Sequence, residues 1–68
     1  MKVNAIKIES LLAVQGLTKT ELAKKAGMSR QNVSTVVRRG TCEPRTAGKL
    51  ATALGVDVLD IIETEESS

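Results

Sequence analysis

Residues 27–40 read GMSRQNVSTVVRRG, and whether this stretch is a strand or a helix decides the fold. Its middle, VSTVV, has the β-branched composition of a strand. A half-buried strand alternates apolar and polar residues, however, and this segment does not. Val33, Val36 and Val37 stand at i, i+3 and i+4, which is the stripe of an amphipathic helix. Valine costs a helix roughly a few tenths of a kcal/mol, which packing overrides. The spacing therefore predicts a helix over residues 30–39, with Ser29 as N-cap and Gly40 ending it.

The same punctuation recurs along the chain. Gly16, Gly27, Gly40 and Gly55 each follow a segment with apolar spacing of three and four, where helices end in the left-handed conformation. Thr18 and Glu21 make a T-x-x-E capping box, Asp57 is a good N-cap, and Asn4 suits the start of the first segment. Five helices are predicted: residues 5–15, 19–26, 30–39, about 45–54, and a short fifth at 58–62. Their inward sets are Ala5, Ile8, Leu11 and Leu12; Leu22, Ala23 and Ala26; the three valines; Ala47, Leu50, Ala51 and Leu54; and Ile61 with Ile62. Gly48 inside the fourth helix costs about 1 kcal/mol relative to alanine. Close approach of another helix would account for it. Residues 1–62 thus form one domain, and 63–68 are expected to be an acidic, frayed tail.

Only Gly27, Met28 and Ser29 separate the second and third helices, so the pair forms a helix-turn-helix. Ala23 is small enough for the helices to cross closely, and Leu22, Met28, Val33 and Val36 fill the angle between them. With the valines inward, Arg30, Gln31, Ser34, Thr35 and Arg38 face out. Arginine grips guanine by two bonds, glutamine grips adenine, and a threonine methyl meets that of thymine. Arg30 and Gln31 occupy the N-terminal end, which this motif directs into the major groove and whose dipole favours phosphate.

The run LTKTELAKKAGMSRQNVSTVV, followed by EPRTAGKLATALGVDVLDII, resembles the helix-turn-helix domain of phage repressors and Cro proteins, and the wider XRE family of bacterial regulators. The likeness covers residues 5–62, and its most specific parts are L-A-x-x-A-G-M-S and K-L-A-x-A-L-G-V. It implies an all-α, compact five-helix, lambda-repressor-like fold. It further implies that Arg30, Gln31 and Thr35 are the main base readers, with Ser29, Ser34 and Arg38 supporting them or touching the DNA backbone. Thr18 and Lys19 match positions that hold phosphate, and Arg45 matches a loop position near the minor groove. Glu43 departs from the pattern, where a basic or neutral residue would suit DNA better.

Composition agrees with a polyanionic partner. The net charge of +2 divides into ten lysines and arginines against Glu9, Glu21 and Glu43 up to Val56, then Asp57, Asp60, Glu63, Glu65 and Glu66 with no basic residue. A basic body and an acidic end suit duplex DNA as partner, although a solvated charged surface has the same count. The chain lacks His and aromatic residues and has one cysteine, Cys42. That excludes an internal disulfide and a Cys/His zinc site, removes the commonest general base, and removes the stacking platforms used for single strands. No catalytic residue, metal or cofactor is expected. Lys24 and Lys25 are expected to be solvated, Arg39 to meet a phosphate or cap its helix, and Cys42 to have no redox role.

No apolar run reaches the roughly 20 residues of a membrane span, and the N-terminus lacks a signal-peptide core, so a cytoplasmic, DNA-associated protein is expected. A chain of 68 residues has no room for a ligand-sensing domain, so no small-molecule ligand is expected. One recognition helix buries too little for tight specific binding, which argues for a homodimer on an operator with paired half-sites. Val58 and Leu59 are the candidate dimer contacts. The alternative function is the antitoxin of a toxin–antitoxin pair, which would bind a protein toxin as well as DNA.

Overall fold

The protein is described by a computed structural model over residues 1–63, and residues 64–68 of the expected acidic tail lie outside the described part. Four α-helices follow one another: α1 (Ala5–Gln15), α2 (Lys19–Ala26), α3 (Arg30–Arg39) and α4 (Pro44–Leu54). Their ends are built as the side chains dictate. Asn4 accepts from the Lys7 amide, and the Thr18 hydroxyl accepts from the Glu21 amide while the Glu21 carboxylate accepts from that of Thr18. The Ser29 hydroxyl accepts from the Asn32 amide. The four glycines that follow the helices have φ between 69° and 74°. α4 begins one residue earlier than expected, because Pro44 at its first position needs no amide partner.

The fifth helix expected at 58–62 is instead a single 3₁₀ turn, Val58–Asp60. Asp57 and Asp60 close it reciprocally: the Asp57 carboxylate accepts from the Leu59 amide, and the Asp60 carboxylate accepts from the Asp57 amide. Helical continuation then fails for a tertiary reason. The Ile61 carbonyl accepts from the Asn4 amide at 2.7 Å, and the Glu63 amide donates to the Lys2 carbonyl. After Ile61 the chain therefore runs beside the N-terminus, with Val3 bridged antiparallel to Ile62. On its other side the N-terminus pairs with the segment after α3. Val3 donates to the Gly40 carbonyl, Cys42 donates to the Met1 carbonyl, and the terminal ammonium donates to the Cys42 carbonyl. This small ladder joins the N-terminal residues to the end of α3 on one side and to residues 61–63 on the other.

The core joins all these elements. Ile8 and Leu12 of α1, Leu22 and Ala23 of α2, the three valines of α3, and Ala47, Leu50, Ala51 and Leu54 of α4 are buried, with Val3 and Ile61. No polar or charged residue is buried among the described residues. α2 packs on both α3 and α4, while α1 touches α3. Gln15 ties α1 to the end of α4 by donating to the Leu54 carbonyl at 2.7 Å.

Gly48 is not explained by helix packing. A Cβ built there meets no atom within 4 Å outside its own helix, and its φ is not positive. Gly48→Ala should therefore stabilise the domain by about 0.4–1 kcal/mol, read as an increased midpoint in urea unfolding.

Candidate nucleic-acid interface

The turn between α2 and α3 follows from three residues. Gly27, at φ 71°, lets the chain reverse after α2. Its amide donates to the Lys24 carbonyl, and that of Met28 donates to the Ala23 carbonyl at 2.9 Å, so the last carbonyls of α2 are satisfied. Met28 is half-buried on the core, and Ser29 is extended and opens α3. Val33 is fully buried, with Val36 and Val37 nearly so, which fixes the rotation of α3 about its axis.

That rotation decides which side chains face out. Gln31, Thr35 and Arg38, at i, i+4 and i+7, lie opposite the valines; Arg30 and Ser34 flank them on one side. Arg30, Gln31 and Arg38 are exposed, whereas Ser34 and Thr35 are half-buried. On the other flank, Asn32, Thr35 and Arg39 line a groove of about 190 Å³ shared with Thr41, Cys42, Glu43 and Thr46. The sequence reading assigned Asn32 no role. Its spacing of three from Thr35 and seven from Arg39 was the available signal.

No carboxylate occurs within α3, and Arg30, Arg38, Arg39 and Arg45 form no ion pair with a described residue. Their charge is therefore available to an outside anion. The start of α2 differs. Lys19 Nζ lies 4.0 Å from a Glu9 carboxylate oxygen, and the Thr18 hydroxyl is engaged with Glu21. Both residues are at the surface, and a phosphate competes there with two carboxylates. An exposed pair of this kind contributes about 0.2–1 kcal/mol, so a phosphate can displace it.

Arg45 is separated from the α3 groove, which Thr46 lines instead. It lines a second groove, of about 420 Å³, with Lys25, Ala26, Gly48, Lys49 and Thr52. Glu43, the N-cap of α4, makes no side-chain capping bond. Cys42 is half-buried, and burial pushes its thiol pKa up; the nearby terminal ammonium opposes this and Glu43 adds to it. A raised pKa keeps the reactive thiolate scarce at neutral pH.

Leu59 is 67% exposed, while Val58 is half-buried against the core. Two further exposed apolar residues, Ile6 (79%) and Val14 (83%), lie on the outer side of α1 and were not singled out from the sequence. No described helix is long and apolar enough to cross a membrane.

Comparison with known proteins agrees with this geometry. A family model described as the Cro/C1-type HTH DNA-binding domain matches residues 7–67. No curated protein and no solved structure matches the chain. Four helices, a three-residue turn after α2, a polar and cationic α3 face and a family match over most of the sequence converge on one assignment. The chain belongs to the Cro/C1-type helix-turn-helix DNA-binding family.

Proposed function

We propose that this domain reads operator DNA as a homodimeric transcriptional regulator, with α3 in the major groove of each half-site. The observation that carries the reading is the division of α3. Three valines are buried, and the outward face offers arginine, glutamine, serine and threonine, with no carboxylate in the helix. Arg30, Gln31, Ser34 and Thr35 read base edges, and Thr18, Lys19, Ser29 and Arg38 hold the sugar–phosphate backbone. Ser29 keeps its hydroxyl proton for a phosphate while its oxygen caps α3.

The dimer contact is assigned to Val58 and Leu59. The exposure of Leu59 supports this, because covering a large apolar side chain removes its surface from water. Two copies so joined place their α3 helices on half-sites about 34 Å apart.

Selection of bound duplexes from a random pool tests the whole reading. The expected product is a two-fold symmetric site, and the absence of any enriched sequence overturns base reading. At that site Arg30→Ala or Gln31→Ala should weaken binding by about 1–3 kcal/mol and relax preference at one base pair per half-site, measured by competition titration. Lys19→Ala should weaken binding to every sequence alike and reduce the slope of log affinity against log salt by about one per half-site. Leu59→Glu should convert the dimer to monomer in sedimentation analysis while leaving the helical circular dichroism unchanged.

A further inference from the structure

Among the described residues, the groove between α2 and α4 collects three cations and no acid. Lys25 forms one wall, Arg45 and Lys49 the other, and Ala26, Gly48 and Thr52 complete it. None of the three cations forms an ion pair with a described residue. Arg45 and Lys49 are one helical turn apart on the solvent side of α4, and from Arg45 to Thr52 the groove runs about 10 Å along the helix. Gly48 lies between these walls. Neither backbone conformation nor packing requires a glycine there, since its φ is ordinary and a Cβ would meet nothing within 4 Å. The fold alone leaves the helix-weakening effect of this residue without a cause. A bare backbone in the floor of a cationic groove has one evident use, which is close approach of an anionic chain.

We propose that this groove is a second phosphate track, taking the sugar–phosphate backbone of DNA that flanks the half-site read by α3. This rests on the DNA-binding reading above and extends it to residues outside the helix-turn-helix. Continuity favours DNA over an acidic protein segment. Arg45 lines this groove, and the next residue, Thr46, lines the groove on the flank of α3. A strand leaving the edge of α3 therefore meets Arg45 first and then Lys49, with Lys25 opposite. Engagement of all three cations requires the flanking duplex to bend towards the domain, a deformation that the added phosphate contacts offset. Lys25 then has a role beyond solvation, and Gly48 keeps the track open.

The test compares the selected operator in duplexes of about 20 and about 40 base pairs, the longer one extended symmetrically beyond the paired half-sites. Wild-type protein should bind the longer duplex several-fold more tightly. The Lys25→Ala/Lys49→Ala double variant should lose that gain while keeping its affinity and base preference on the short duplex. On the long duplex its slope of log affinity against log salt should fall by about two for each domain engaged. Gly48→Gln, which fills the floor without removing a charge, should lose the gain while melting no lower than the wild type. Retention of the gain by both variants overturns the proposal, as does a loss of equal size on both lengths. Displacement of the gain by polyglutamate but not by unrelated long duplex also overturns it, and assigns the groove to an acidic protein partner. A wild-type protein that binds neither duplex overturns the functional reading itself, and is distinguished by failure on the short site as well.

Discussion

Burial of Val33, Val36 and Val37 sets the rotation of α3, and the interface depends on that rotation. A helix has no other means of choosing which residues it presents, because its backbone is symmetric about the axis and its hydrogen bonds are internal. Three branched apolar side chains in one stripe choose for it. A turn of the helix by one residue would bring Asn32 and Thr35, or in the other sense Ser34 and Arg38, towards a core that cannot hydrate them. The polar face is therefore held in place by the apolar one. In so small a domain, with no buried polar group among its described residues, non-polar packing bears nearly all of this positioning.

The helix caps and the chain-end ladder add what the core lacks. Thr18, Ser29 and Asn4 each satisfy an amide at a helix start, and the helix-ending glycines allow carbonyls to be satisfied at the other end. The N-terminal residues tie the exit of α3 to the end of the chain through Val3, Gly40, Asn4 and Ile61. This arrangement joins segments far apart in sequence, so α3 is braced at its C-terminal end as well as along its length. The Glu21 carboxylate that completes the capping box also sits beside Thr18, proposed to hold phosphate, so on that proposal stability and DNA affinity make opposed demands on one residue.

Electrostatics then divides the surface. The α3 face and the α2–α4 groove contain cations without acidic partners among the described residues, and the start of α2 contains a lysine with one. An unpaired exposed cation gives up only its hydration and bound counterions on meeting phosphate, whereas Lys19 must first leave Glu9. Arg45 carries the lesson in its position. The resemblance grouped it with the recognition elements, and the structure groups it with Lys25 and Lys49. Its neighbour Thr46 faces the α3 side instead, because successive residues on a helix point about 100° apart.

By itself the sequence determined the four helices, the starts of the first three at asparagine, threonine and serine, their ends at glycine, and the stripe that turns α3. These follow from interactions between residues at most four or five apart, which spacing displays directly. Asn32 was legible in the same way, through its spacing to Thr35 and Arg39, and was overlooked because an exposed asparagine has no apolar stripe to mark it. Only the tertiary structure decided that residues 58–62 make one tight turn and then pair with the N-terminal segment, since the partner that draws Ile61 out of helix is Asn4, far away in sequence. Only it decided that Gly48 meets no neighbouring helix and that Lys25 shares a groove with Arg45 and Lys49. The physical reason is common to all three: such contacts depend on how helices lie across one another, and no local pattern of residues encodes that angle.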